Sequence, residues 1–334
     1  MLKFIIRRLI SLIPVIIIIS VLLFSMVKIM PGNQVDMMLG TPPASSESSF
    51  QDYLKQKEAL IKELGLDKSL PEQYVRWMFK MLSGDLGVST SSGGMQPVTN
   101  VLKEPLKNSI ILNIFTITFS FLIAIPVGIK SAVKRFSLYD NFWQVTSLVF
   151  MSMPVFFIGL CLIYLLKIKT DFLGLPFGKM PSYEDLAGGF FSDMYQWGRH
   201  LFLPVVTLTI GSLAGTIRFV RNAMLEVIKK DYIRTARSKG LKEKVVIYSH
   251  AFRNALIPVV TIVAGSLVGL FGGSAITEQI FAYNGIGFVL IKALNARDYS
   301  LILAMNMFYA ILALVANLVM DISYALVDPR VKFE

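Results

Sequence analysis

Charged side chains that could bind a partner are concentrated in one stretch of the sequence, from Glu226 to Pro258, which reads EVIKKDYIRTARSKGLKEKVVIYSHAFRNALIP. Ten basic residues lie between Arg218 and Arg253. Guanidinium and ammonium groups at this density can bind a complementary protein surface or the headgroups of a membrane. The flanking segments are apolar, so a polar stretch between them indicates a function.

The chemistry predicted for this chain is binding rather than catalysis. The pattern G-x-x-x-x-G-K-[ST], whose backbone and lysine hold nucleotide phosphates, does not occur. His200 and His250 have no cysteine or histidine at metal-ligand spacing, and the lone cysteine, Cys161, lies in an apolar run. We therefore expect no catalytic residues, no bound cofactor and no metal site.

Composition identifies an integral membrane protein. Hydrophobic residues make up 54% of the chain, 16% of residues are charged, and the mean hydropathy is +0.61, whereas soluble domains carry roughly 25% charged residues. A helix needs about 20 residues to cross a bilayer, and the uncharged runs predict an all-α fold with six transmembrane helices. These spans are Leu9 to Val27, Asn108 to Ile129, Asn141 to Leu166, Leu201 to Ile217, Ala255 to Thr277 and Tyr299 to Met320.

The first span, within residues 1–30, is predicted to be a retained anchor. A signal peptide is the alternative, but its apolar core is usually only about 7–15 residues long. Residues 31–107 form a polar segment with helices predicted over Gln51 to Leu64 and Leu70 to Leu82. Residues 108–334 form the membrane core, which includes the basic loop 218–256.

The net charge of +11 could indicate nucleic-acid binding, but in a membrane protein basic loops on the cytoplasmic side account for it more simply. Basic residues in short loops and near span ends favour the cytoplasmic side. Their distribution predicts that both termini are cytoplasmic and that segment 31–107 is extracytoplasmic. The spans themselves hold few ionisable groups, whereas ion-coupled carriers usually place such groups at mid-membrane. We therefore expect the energy source to lie in another protein.

The basic loop is predicted to form two helices that meet at Gly240. Glu226 to Lys239 fits the first helix, and glycine suits a left-handed helix end. Lys242 to Asn254 fits a second, amphipathic helix, which could enter a groove on a partner or lie on lipid headgroups. The residue pattern leaves both readings open.

A resemblance to a known family favours the partner. The loop resembles the EAA loop of binding-protein-dependent ABC importer permeases, in particular the oligopeptide/dipeptide/nickel branch, although Arg234 stands where the wider superfamily has glutamate. The resemblance continues through residues 277–299 to the tail Asp328 to Arg330. The residues that it implies for docking of an ATPase are Arg234, Thr235, Ala236, Gly240, Leu241, Lys242, His250, Arg253, Asn254 and Pro258.

The resemblance also implies an assembly in the cell membrane. Members of this family have a type I ABC importer permease fold, pair with a second homologous permease as a heterodimer, and dock two ATPase subunits that hold ATP and Mg. An extracytoplasmic binding protein delivers the substrate, and nucleic acid is not a partner. The short helix after Gly240 would be the coupling helix. A peptide is the expected substrate, with nickel or another small solute as the alternative within the family; an autonomous secondary transporter or a channel subunit is the alternative from another class.

A second candidate site is the predicted outer loop from Glu278 to Arg297, an apolar, glycine-bearing piece too short to span. It could form an outer gate or contact the binding protein, or it could pack on helix ends. The residues expected to act there are Glu278, Phe281, Tyr283, Gly285 and Gly287.

Overall fold

The computed structural model describes residues 2–30, 34–40, 42, 47–91, 95–171, 174–176, 178–182, 185–186 and 188–327. The described residues are mostly helical. In chain order the helices are α1 (Leu2–Ile29), α2 (Gln34–Leu39), α3 (Glu47–Leu64), α4 (Leu70–Leu82), α5 (Val98–Val133), α6 (Leu138–Ser152), α7 (Val155–Leu162, continued by a π-helix, Ile163–Lys169), α8 (Phe190–Ile228), α9 (Asp231–Ser238), α10 (Glu243–Val245, continued by a π-helix, Val246–Phe252), α11 (Arg253–Gly269), α12 (Ala275–Ile280), α13 (Ile286–Ala296) and α14 (Tyr299–Val327). Two short strands, β1 (Val88–Ser89) and β2 (Gln96–Pro97), form an antiparallel pair.

Long apolar helices confirm that the chain is a multi-pass membrane protein. Among the described residues, α1, α5, α8 and α14 are each long and apolar enough to cross a bilayer. The pair α6 and α7 supplies a fifth span if it is counted as one, although it bends by 102°. The bend falls at Met153 because the residue before a proline avoids the helical region, and Met153 is extended, with φ −88° and ψ 130°.

The predicted fifth span, Ala255 to Thr277, is not one helix. Helix α11 ends at Gly269 after 17 residues, and the chain turns before α12 begins at Ala275. The Asn113 side chain of α5 donates hydrogen bonds to the carbonyls of Leu270 (3.0 Å) and Gly272 (2.6 Å) in this turn. Apolar composition cannot reveal such a break, because glycine counts neither as charged nor as strongly polar. Length and composition therefore support up to five spans, and the sixth stays a prediction.

The described part of segment 31–107 packs against the membrane helices. The predicted helices are confirmed as α3 and α4. The Tyr74 hydroxyl of α4 lies 2.8 Å from the Ser20 hydroxyl of α1, and the Phe24 ring packs against Tyr74 and Trp77 with centroid distances of 5.6 and 5.7 Å. The polar segment thus rests along one side of the first span.

A buried carboxylate holds the other end of this segment. Asp298, which is 2% exposed, accepts hydrogen bonds from the Ser89 hydroxyl (2.6 Å) and from the backbone amides of Thr90 (2.9 Å) and Ser91 (3.0 Å). Its second oxygen accepts from the Leu301 amide at the start of α14 (3.1 Å). One side chain therefore caps a membrane helix and fixes β1 to it.

A buried ion pair joins α6 to α8. The guanidinium of Arg221 donates to both oxygens of Asp140, at 2.7 and 2.8 Å, and the Phe136 amide donates to the same carboxylate at 3.0 Å. The Asp140 side chain is 1% exposed and that of Arg221 is 13% exposed. Two parallel hydrogen bonds fix the relative orientation of the two helices as well as their distance.

Arg221→Met should destabilise the chain, because it leaves a buried carboxylate without its partner, which costs roughly 3–5 kcal/mol. Thermal unfolding of the full chain in detergent should show a clearly lower midpoint. Glu226→Gln removes the exposed pair between Lys230 and Glu226 and serves as the control, since exposed pairs contribute little. Equal midpoints for the two variants would contradict the role of the buried pair.

Candidate functional site

Helix α9 is a short, basic helix at the surface of the described structure. Ile233 and Ala236, three residues apart, face inward and are 0% and 6% exposed. The remaining residues of α9 are exposed, including Tyr232, Arg234 and Thr235. Spacing of three residues places the two apolar side chains on one face of the helix, so the opposite, charged face is available to a partner.

The inward face of α9 is part of a buried cluster that joins the loop to the membrane helices. Ile233 and Ala236 pack in one cluster with Ile129 of α5 and with Val220 and Met224 of α8. The further buried members are Ala132, Val246, Ile247, Ala251, Ala255 and Val259. Close-packed interiors transmit displacement, so a push on α9 reaches α5, α8 and α11.

Gly240 ends α9 in the predicted left-handed conformation, with φ +74°. The Gly240 amide donates to the Arg237 carbonyl at 2.9 Å, and the Leu241 amide donates to the Ala236 carbonyl at 3.4 Å. These two bonds form a Schellman motif, which satisfies the last carbonyls of a helix. A Cβ added at Gly240 would meet no atom within 4 Å, so the backbone angle, not crowding, requires glycine here.

A salt bridge spans the turn at Gly240. The Arg237 guanidinium donates to the two Glu243 oxygens at 2.7 and 3.2 Å. The hydrogen bond from Arg237 lowers the pKa of the Glu243 carboxyl. Both side chains are well exposed, so the pair adds little to stability and serves mainly to orient α9 relative to α10.

The prediction of a separate helix from Lys242 to Asn254 is wrong. The chain is helical from Glu243 through the π-helix and α11 to Gly269, with no break between them. Pro258, expected to end the second helix, lies inside α11; prolines are tolerated within membrane helices because neighbouring groups satisfy the freed carbonyl. The short free-standing helix is therefore α9, before Gly240.

The predicted docking residues are mostly at the surface. Ala236 is the exception, since it packs into the chain's own core rather than leaving room for a partner. His250 and Pro258 are partly buried. The exposed members are Arg234, Thr235, Gly240, Leu241, Lys242, Arg253 and Asn254. The tail Asp328 to Arg330 lies outside the described residues.

Two exposed aromatic residues of the same loop are absent from the predicted docking set. Tyr232 is 46% exposed and Tyr248 is 51% exposed. Aromatic side chains are enriched where proteins bind one another. Their positions within the loop were a usable signal, but the helical pattern could not show which face is covered.

The residues of the predicted outer loop lie inside the structure. Phe281, Tyr283 and Glu278 are each 1% exposed, and Gly285 and Gly287 are buried. Of the readings left open, packing on helix ends describes this conformation. None of these five residues is accessible to an external protein here.

Glu278 organises this packing. Its carboxylate accepts from the Ser109 hydroxyl of α5 (2.9 Å), the Phe288 amide (2.9 Å) and the Ser274 amide (3.2 Å). Burial raises the pKa of the Glu278 carboxyl, and these hydrogen bonds oppose that shift. A Cβ at Gly285 would lie 2.5 Å from the Ser109 oxygen, so only glycine allows this approach.

A hydrogen-bonded tyrosine completes the contact with α5. The Tyr283 hydroxyl donates to the backbone carbonyl of Asn108 at 2.8 Å, and the side-chain amide of Asn108 donates to the backbone carbonyl of Asn284 at 2.9 Å. The chain from Ser274 to Phe288 is therefore bound to one end of α5 through several polar groups.

Similar proteins agree with this architecture. The family model described as "Binding-protein-dependent transport system inner membrane component" matches residues 124–333, and the model for the N-terminal part of such components matches residues 1–121. The oligopeptide transport system permease protein AppB of Bacillus subtilis is 35% identical over 333 residues, which is 100% of both chains. The dipeptide transport system permease protein DppB of Escherichia coli K12 is 36% identical over 346 residues, covering 99% of both.

A solved structure supports the fold. The chain resembles one from the MetNI methionine ABC transporter in inward-facing conformations, with a TM-score of 0.50 and 20% identity, over 69% of this chain and 95% of that one. This likeness supports the predicted permease fold. The matches along both parts of the sequence show that the chain belongs to the family of inner membrane components of binding-protein-dependent transport systems.

Proposed function

We propose that this chain is the permease subunit of an ATP-driven importer of short peptides and that α9 receives the force from an ATPase subunit. The observation that carries the proposal is the construction of α9, with an exposed charged face on one side and buried contacts to α5 and α8 on the other. The relatives named as oligopeptide and dipeptide permeases support the peptide as substrate.

Coupling requires that a movement of the ATPase reach the membrane helices. The sequence has no phosphate-binding loop, so ATP and Mg are assigned to the two partner subunits. When these close, α9 is displaced, and the packing of Ile233 and Ala236 carries the displacement into α5 and α8. Rigid-body movement of those helices then exposes the pathway to one side and afterwards to the other.

The rest of the assembly follows the family. A second homologous permease completes the pathway, and an extracytoplasmic binding protein delivers the substrate on the side opposite α9. The basic residues around α9 support a cytoplasmic position for the loop and both termini.

Identification of the ligand that co-purifies with the cognate binding protein tests the substrate. A bound peptide is expected, and bound nickel or another small solute would overturn the peptide assignment.

Replacement of Gly240 tests the geometry of α9. Gly240→Val should reduce peptide uptake at least fivefold, because an L-residue at φ +74° costs roughly 1–2 kcal/mol and β-branching adds to the strain. Gly240→Asn is the matched control, since asparagine tolerates this conformation and should keep most of the uptake. The measurement is uptake of labelled peptide by vesicles containing the whole importer, with membrane insertion checked by fractionation. Similar uptake by both variants would refute the assigned role of the turn.

Cross-linking tests which partner α9 touches. In a Cys161→Ser background, Ser238→Cys on the exposed end of α9 should be captured with the ATPase subunit by a short bifunctional reagent. Ser83→Cys, exposed at the end of α4, is the control and should not capture it. Capture from Ser83 but not from Ser238 would reverse the proposed orientation.

A further inference from the structure

A cavity of about 310 Å³ lies between the C-terminal end of α1, helix α4 and the first turns of α14. Its lining combines apolar and basic side chains. Phe24, Val27, Trp77 and Leu303 supply apolar surface. The basic groups in the lining are Lys28, Arg76 and Lys80. This combination is what an amphipathic anion requires, because it offers cations and apolar surface in one site.

The charge balance of the cavity favours an anion. Asp85 is the acidic residue in the lining, against three basic residues. Asp85 lies 4.0 Å from the Lys80 ammonium, and both side chains are more than half exposed, so it neutralises Lys80 only weakly. No ion pair joins Lys28 or Arg76 to another residue in the described part of the chain.

The cavity lies beside the last turns of α1. Tyr74 of α4 contacts Ser20, nine residues before the end of α1 at Ile29. At 1.5 Å per residue this contact is about 13 Å along α1 from the helix end. Helix α4 therefore packs along the C-terminal part of the first predicted span.

The outward face of α4 is apolar. Val75, Phe79 and Leu82, at the i, i+4 and i+7 positions, are 49%, 70% and 77% exposed. An exposed apolar stripe on a helix that packs against a predicted membrane span is suited to contact with acyl chains. The cavity at the same helix supplies cations that suit an anionic headgroup.

We propose that this cavity binds one anionic phospholipid, with the phosphate at Lys28, Arg76 and Lys80 and the acyl chains along Trp77 and the outward face of α4. A soluble peptide with a carboxylate would fit the charge, but the apolar stripe beside the site matches a lipid tail. The inference is independent of the transported solute and of the orientation of the chain.

Lipid binding by the purified full-length chain tests the headgroup. In native mass spectrometry, the chain should retain bound phosphatidylglycerol in preference to phosphatidylethanolamine. Each basic residue near an anionic lipid contributes roughly a fivefold gain in affinity, so the triple variant Lys28→Gln, Arg76→Gln, Lys80→Gln should lose roughly a hundredfold. The triple variant Lys55→Gln, Lys62→Gln, Lys103→Gln removes the same charge outside the cavity and should bind as the unmodified chain does. Equal phosphatidylglycerol binding by both triple variants would overturn the site.

Fluorescence quenching locates the acyl chains and does not depend on the triple variant folding. With Trp143→Phe and Trp197→Phe, Trp77 is the remaining tryptophan. In nanodiscs, phosphatidylglycerol with brominated acyl chains should quench Trp77 more strongly than equally brominated phosphatidylethanolamine. Equal quenching by the two lipids would mean a non-selective lipid surface. Relief of the selective quenching by soluble glycerol phosphate or by a short peptide would assign the site to a soluble anion; both outcomes contradict the proposal.

Discussion

The packing of two apolar side chains, Ile233 and Ala236, is the contact on which the proposed function depends. These residues hold α9 against the ends of α5 and α8, which are the two longest helices among the described residues. A basic helix without this inward face would lie on the surface and transmit nothing. Because a packed cluster resists compression, the loop behaves as a part of the membrane helices and not as an appendage.

The two faces of α9 also explain why its sequence is unusual. The charged residues lie at the surface, while the two apolar residues, three positions apart, pack in the core. The glycine at position 240 then allows the chain to reverse into α10 with the final carbonyls of α9 paired. In the proposed function, docking and coupling are separate properties of the same eight-residue helix, carried by opposite faces.

Buried carboxylates play a structural role on the other side of the fold. Glu278 binds the chain around α12 to α5, and Asp298 binds β1 to the start of α14. Each carboxylate accepts several hydrogen bonds from hydroxyl or amide groups, which compensate for its removal from water. The polar segment and the α12 region are consequently fixed to the ends of the spans.

Several local features could be predicted from residue types. The long spans, α3, α4 and the helix end at Gly240 follow from apolar runs, helical periodicity and the backbone freedom of glycine. The break between α11 and α12 could not be predicted, because the side chain that stabilises it, Asn113, lies more than 150 residues away. The burial of Glu278 was equally hidden, since its partner Ser109 is 169 residues distant.

The sequence by itself therefore determined the membrane class, the family and the position of the basic loop, because composition, periodicity and motif order are properties of consecutive residues. Only the tertiary structure decided that α9 rather than the following helix stands free, that Ala236 faces inward, and that the residues expected at an outer gate are packed inside. Those outcomes depend on contacts between helices distant in the chain, which no local pattern encodes.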